Sequence, residues 1–209
     1  MPISPAAKPR RTPKQARSRA TVDAILDATA RVLTEAGYAG ANTNRIAATA
    51  GVSIGSLYQF FPSKEALVTA LRRRHAQQMR DMVREMVGAI AGMPLAAAVP
   101  RFVHAVFAAH LIDPALHRVL DQEVPRPDLA DGREDIDADF RATIRAVLAL
   151  HRAEILPDDL DIASLILVRM VDALVHAAVL VRPAGIDAQA VEREIATVIL
   201  RYLQGARAR

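Results

Sequence analysis

The chain has 209 residues, 52% hydrophobic and 24% charged, enough apolar content to bury the cores of one small and one medium domain. It has no cysteine, which excludes disulfides and thiolate metal sites. The formal net charge of +4 is unevenly spread: residues 1–80 hold 13 Lys+Arg against 4 Asp+Glu, whereas residues 81–209 hold 14 against 19. One end is therefore suited to a polyanion and the other is not. No amphipathic helix gathers this charge into a lipid-binding face, so a membrane partner is not expected.

Residues 1–14 place Pro2, Pro5, Pro9 and Pro13 among Lys8, Arg10, Arg11 and Lys14. This stretch lacks the apolar core of a secretory signal and reads as a disordered basic arm suited to phosphate or minor-groove contact. An amphipathic helix follows over about Ser18 to Ala36, with Val22, Ile25, Leu26, Thr29, Val32 and Leu33 on one face and Gly37 as its stop.

From Thr43 to Phe61 the pattern is two short helices hinged at a glycine, the layout of a helix-turn-helix. Thr43 is the expected N-cap, and Ile46, Ala47 and Ala50 form the apolar face of the first helix. Gly51 supplies the tight turn. Ser53 caps the second helix, whose Leu57 packs inward and leaves Ser56, Tyr58 and Gln59 outside. Pro62 ends it, and Ser63 caps a long helix with Glu65 in its first turn.

These residues carry a resemblance. Ala50-Gly51-Val52-Ser53, Gly55-Ser56-Leu57-Tyr58 and Phe61-Pro62-Ser63-Lys64-Glu65-Ala66-Leu67, preceded by Glu35-Ala36-Gly37-Tyr38 and Ile46-Ala47, resemble the DNA-binding domain of the TetR family of bacterial repressors. The match covers about residues 15–75, and the rest of the chain is similar to the family only in its all-helical style.

Past residue 63 the pattern is helical throughout. Gly88, Gly92 and Pro94 mark a break, and Pro94 to Ile112 carries Phe102, Val103, Val106 and Phe107. Asp113 and Pro114 restart a short helix to about Glu123, before a loop over 125–132. Another helix, about Ile136 to Ile155, spaces Phe140, Ile144, Val147, Leu148 and His151 along one face. Ile162 to Val181 is the most apolar segment and has the length of a membrane span. Arg169, Asp172 and His176 interrupt it, so a helix buried on nearly all sides is expected instead. A last amphipathic helix carries Val191, Ile195, Val198, Ile199 and Tyr202.

No enzyme chemistry is legible. The six histidines include no i, i+4 pair, and neither an HExxH motif, a phosphate-binding glycine loop nor a nucleophile elbow is present. Catalytic residues, metal ligands and cofactors are therefore not expected. Arg169, Asp172 and His176 form one stripe, read either as a salt-bridge strip or as the polar end of a ligand cavity. In the second reading Phe102, Val106, Phe107, His110, Phe140 and Ile144 are candidate apolar walls, with Arg169 and His176 as polar contacts.

The resemblance implies an all-α regulator with a basic arm at 1–14, a three-helix DNA-binding domain at 15–62 and a larger effector-binding and dimerisation domain at 63–209, about nine helices in all. By position, Thr43 and Tyr58 are implied to bond phosphates and Lys64 the DNA backbone. Arg45, Ser53, Ile54, Gly55, Ser56 and Gln59 are implied to approach the groove, while Asn44 and Gln59 sit where the family varies. The implied partners are double-stranded DNA bearing an inverted repeat, a small and mainly apolar effector, and a second copy joined through helices at about 160–181 and 187–204. The implied role is a cytoplasmic repressor released by its effector. Alternatives are an activator or ligand-insensitive DNA-binding protein of the same fold, or a helical interaction module without DNA binding.

Overall fold

A computed structural model of the chain describes residues 16–125, 133–181, 185 and 187–205. The expected basic arm at 1–14 and most of the expected loop at 125–132 lie outside them. Among the described residues every regular element is helical. These are α1 (Ala16–Gly40), α2 (Thr43–Ala50), α3 (Ile54–Phe60), α4 (Lys64–Ile90), α5 (Leu95–His110), α6 (Pro114–Arg118), α7 (Arg133–Leu150), α8 (Leu160–His176) and α9 (Ala188–Gln204). Two of them continue into π-helical turns, α6 into Val119–Glu123 and α8 into Ala177–Val181.

Contacts divide the chain into two compact units, Met1–Gln77 with Ala115–Asp131, and Gln78–Pro114 with Gly132–Arg209. No shift in composition marks these crossings, because α4 runs through Gln77 and Gln78 without a break. The expected division after residue 62 follows the motif rather than the packing.

In the first unit, Ile25, Leu26, Val32 and Leu33 of α1 meet Ile46 and Ala47 of α2, Leu57 of α3, and Leu67, Val68 and Leu71 of α4. Leu116, Val119, Leu120 and Val124 close this core. Thr29 is fully buried there because its hydroxyl donates to the Ile25 carbonyl at 2.7 Å. The expected stop at Gly37 is a kink instead. Gly37 takes φ 67°, ψ 176°, and the chain continues to Gly40. A Cβ at Gly37 would meet Glu123 Oε2 at 2.6 Å, and the same oxygen accepts the Tyr38 N–H at 2.9 Å. The site thus needs glycine for its backbone and for the room it leaves a carboxylate.

In the second unit, Val99, Val103 and Phe107 of α5, Ile144 and Leu148 of α7, Leu167, Val171 and Val175 of α8, and Ile195, Ile199 and Leu203 of α9 form one core with Val83 and Val87 of α4. Helix α7 ends at Leu150, short of the expected Ile155, and a 3₁₀ turn occupies Arg152–Glu154. His151 leaves the helix because its ring is held elsewhere, with Nδ1 2.8 Å from the Glu154 carboxylate and Nε2 3.2 Å from the Ala91 carbonyl. That bond lowers the pKa of the Glu154 carboxyl.

Helix α8 also corrects an expectation. In a single chain it is buried on one face, through Ala163, Ser164, Leu167, Val168, Val171 and Val175. Its other face exposes Ile162, Leu165, Ile166 and Leu174. Leu160–Val179 has the length and hydropathy of a membrane-crossing helix, and its buried face is already committed to the core.

Candidate nucleic-acid interface and effector cavity

The interface is built from how α2 and α3 begin and end. The N-cap of α2 is Asn42, one residue before the expected Thr43: its Oδ1 accepts the Arg45 N–H at 2.9 Å. Both residue types cap well, and extended backbone at Asn42 decides between them. Gly51 then takes the left-handed conformation at φ 67°, ψ 28°, closing α2 through bonds back to Ala47 and Ala48. Ser53 caps α3 as expected, accepting the Ser56 N–H at 3.1 Å, with the two hydroxyls 2.8 Å apart. Ser63 does the same for α4 by accepting the Ala66 N–H at 3.2 Å.

The turn at Gly51 and the caps at Ser53 and Ser63 fix where α3 begins and where α4 follows it. Leu57 is fully buried, which forces the opposite face outward. Ser53, Ile54, Gly55, Tyr58 and Gln59 are exposed around the rest of α3, with Ser56 half-buried among them. Asn44 and Arg45 are exposed on α2, with Thr43 half-buried. Thr43 and Tyr58 meet across the turn, their oxygens 3.1 Å apart. The residues expected to touch DNA from α2 and α3 are thus exposed or half-buried, and Thr43 and Tyr58 link the two helices at their surface.

Two of the basic residues have protein partners. Arg45 pairs with Glu35 at 2.8 Å, both about half exposed, so the guanidinium is held by a weak and solvent-screened contact. Lys64 donates to the Tyr38 carbonyl at 3.0 Å and lies 4.1 Å from the centre of the Tyr38 ring. An ammonium has three donors, so this anchoring leaves capacity for a phosphate. Burial raises the Tyr38 pKa first, reinforced by the Glu65 carboxylate that accepts its hydroxyl. The Glu65 pKa is lowered by hydrogen bonds to its own backbone N–H and to Ser63. Tyr38, Lys64 and Glu65 thus form a clasp between α1 and α4 that sequence reading did not identify. Their only signal was the Gly-Tyr and Lys-Glu pairs on either side of the motif.

The second unit holds a cavity of about 60 Å³. Val87 and Ile90 of α4, Leu95, Ala98, Val99 and Phe102 of α5, Ile144, Val147 and Leu148 of α7, Leu167, Val168 and Val171 of α8, and Ile199 and Leu203 of α9 line it. All are apolar. Of the eight residues expected at a pocket, Phe102 and Ile144 line this cavity. Phe140 stacks on Phe102 with ring centres 6.5 Å apart, behind the wall. Val106, Phe107 and His110 are buried elsewhere in the unit, Arg169 is exposed, and His176 lies edge-on to His110. The stripe of Arg169, Asp172 and His176 does not line this cavity.

A short, exposed helix fixed behind a glycine turn on its own small core, in the basic part of the chain, defines a helix-turn-helix protein of the DNA-binding class. Family matches agree on both parts of the chain. Residues 25–71 match the bacterial regulatory proteins of the tetR family, and residues 94–203 match the tetracyclin repressor-like C-terminal domain. The chain belongs to the TetR family of bacterial regulatory proteins.

Among sequence relatives, the HTH-type transcriptional repressor AcnR of Corynebacterium diphtheriae is 39% identical over 61 residues, 29% of this chain and 32% of AcnR. An uncharacterised HTH-type transcriptional regulator of Mycobacterium tuberculosis is 40% identical over 63 residues, 30% of this chain and 31% of its own. The likeness thus spans about a third of each relative's length. Among solved structures, the fatty acid degradation regulator FadR of Bacillus halodurans superposes with a TM-score of 0.70 at 20% identity, covering 95% of this chain and all of that one. Bacillus subtilis FadR, solved with stearoyl-CoA, gives 0.68 at 20% identity over 86% and 98%. These likenesses establish the fold, which is that of transcriptional regulators.

Proposed function

We propose that this protein is a cytoplasmic, homodimeric transcriptional repressor that binds an inverted-repeat DNA operator and is released from it by a small, mainly apolar effector. The outward residues of α2 and α3 carry the reading. Thr43, Tyr58 and Lys64 bond phosphates, Arg45, Ser53, Ile54, Gly55, Ser56 and Gln59 approach the groove with Gln59 placed to read a base, and Asn44 and Gln59 sit where the family varies. The DNA-binding role belongs to residues 15–62 together with Lys64 at the start of α4, and the effector and dimer roles to the rest of residues 63–209.

Dimerisation is supported by the uncovered stripe on α8, where Ile162, Leu165, Ile166 and Leu174 repeat at helical spacing, with Val198 exposed on α9. A second copy would cover both faces, joining segments 160–181 and 187–204. One α3 contacts few base pairs, and a two-fold pair reads half-sites about 34–36 Å apart or a multiple of that.

Effector chemistry follows from the cavity. Its lining offers no hydrogen-bond partner, which selects alkyl or aryl surface over polar groups. An acyl chain has that chemistry, and the fold is shared with a FadR solved with stearoyl-CoA. At about 60 Å³ the space is well short of the roughly 300–1,000 Å³ of a ligand pocket. A ligand of useful size must therefore part the helices around it. Release from DNA then follows as a population shift, limited by the effector's differential affinity for the two states.

Selection of bound duplexes from a random pool at physiological salt tests the reading. An enriched inverted repeat supports it. Binding without enrichment that disappears as salt rises would reduce the interface to phosphate attraction.

A further inference from the structure

On the repressor reading, which places Arg45 at the groove, we propose that Glu35 positions the Arg45 guanidinium and thereby sets how strongly the protein discriminates its operator from other duplexes.

Arg45 is the single charged residue in the sequences of α2 and α3. Its backbone N–H is held by Asn42 Oδ1 at 2.9 Å, so the side chain starts from a fixed point in the first turn of α2. From there the guanidinium reaches α1, where Nη2 donates to Glu35 Oε2 at 2.8 Å. Glu35 stands two residues before the Gly37 kink, and Glu123 holds the Tyr38 N–H on the far side of that kink. Both backbones are anchored, and side-chain rotation alone opens the pair.

Acidic residues are scarce in this part of the chain. Residues 1–80 hold Asp23, Asp27, Glu35 and Glu65. Asp27 pairs with Arg74 at 2.8 Å, and Glu65 is bound by its own backbone, Ser63 and Tyr38. Glu35 instead neutralises the one charge that the two motif helices carry. The Arg45 and Glu35 side chains are 44% and 54% exposed, and a pair so open to water adds little to stability. Its consequence falls on binding.

Any phosphate that takes Arg45 must displace a carboxylate already 2.8 Å away. The exchange swaps one anionic acceptor for another and leaves Glu35 unpaired beside a polyanion. On an arbitrary duplex Arg45 therefore contributes little. A guanine edge changes the balance, because its O6 and N7 accept a guanidinium in bidentate fashion. The guanidinium has five N–H donors in a fixed fork, and the Glu35 bond occupies one. The carboxylate can then keep its bond and hold the fork toward the base. Glu35 penalises the weak contact and supports the good one, and specificity needs such a repulsive element as well as an attractive one.

The test is fluorescence anisotropy of the full chain, in salt from about 50 to 200 mM, on a random-sequence duplex and on the duplex enriched by selection. Glu35→Gln should tighten binding to the random duplex by about fivefold, the upper worth of an exposed ion pair expressed as affinity. Its salt slope there should steepen by about 0.9, the mark of one further phosphate contact. The enriched duplex should gain less, so the ratio of the two affinities falls. In an Arg45→Ala background, Glu35→Gln should leave the salt slope unchanged. Both single variants and the double variant should melt with the parent. Equal gains on both duplexes, or no gain on either, overturn the proposal while the repressor reading stands. A steeper slope in the Arg45→Ala background also overturns it, since Glu35 then repels DNA without acting through Arg45. A parent chain that enriches no duplex overturns the repressor reading and this proposal with it.

Discussion

Thr43 Oγ1 and the Tyr58 hydroxyl stand 3.1 Å apart across the turn that joins α2 to α3. Thr43 is the first residue of its helix and Tyr58 lies in the second turn of the next, so the contact measures the angle between them. Both hydroxyls face outward, where one phosphate oxygen could take a bond from each. Tyr58→Phe should leave the melting temperature nearly unchanged, since the side chain is 43% exposed. It should weaken DNA binding by about 1.5–3 kcal/mol, the range for a hydrogen bond to a charged group. Fluorescence anisotropy on several duplexes will show whether the loss is uniform across sequences, as a phosphate contact requires.

Asn42 and Thr43 separate stability from function. Asn42→Ala removes the cap bond to Arg45 N and should cost about 1 kcal/mol of stability, read by urea unfolding. Thr43→Ala should unfold with the parent and bind DNA more weakly. A larger stability loss at Thr43 than at Asn42 would reverse the capping assignment.

Gln59 is exposed on α3, one turn beyond Gly55. Gln59→Ala should cost about 1–3 kcal/mol of binding and relax the preference at one base position. Repeating the duplex selection with the variant checks this, and an unchanged enriched sequence rules out base reading by Gln59.

Stability should fall in acid through Glu65. Its pKa lies below the ordinary 4.5 because its own backbone and Ser63 hydrogen-bond the ionised form. A carboxyl with a lowered folded pKa stabilises the fold above its unfolded value, and that contribution is lost as pH falls through the folded one. Melting temperatures measured from pH 6 down to pH 3 should therefore drop more steeply for the parent than for Glu65→Gln. Parallel curves would assign the acid sensitivity to other groups, among them Glu154, whose pKa is also lowered.

Filling the cavity should oppose effector binding. Val99→Leu adds one methylene to a wall of a space of about 60 Å³ and should raise stability by about 0.5–2 kcal/mol. It should also weaken uptake of cis-parinaric acid, a fluorescent fatty acid that serves as an apolar probe. Tighter uptake by the variant would place the probe elsewhere.

Much of the DNA-binding unit was legible because its determinants are local. The apolar face of α1, the turn at Gly51 and the caps at Ser53 and Ser63 depend on residues within four positions of one another. Helical spacing reports such relations directly. Asn42 and Thr43 illustrate the limit, since two adjacent residues of suitable type are separated only by backbone dihedrals.

The sequence by itself determined an all-helical chain, a short helix presented outward behind Gly51, and a basic surface to go with it. Those are consequences of period, turn chemistry and charge. Only the tertiary structure decided that Gly37 kinks where Glu123 approaches, that α8 keeps one apolar face uncovered, that the cavity excludes the Arg169–His176 stripe, and that His110 meets His176. Each of these joins residues far apart in the chain or depends on which of two apolar faces is covered. Contacts between distant residues are set by how whole helices pack, and no local pattern records them.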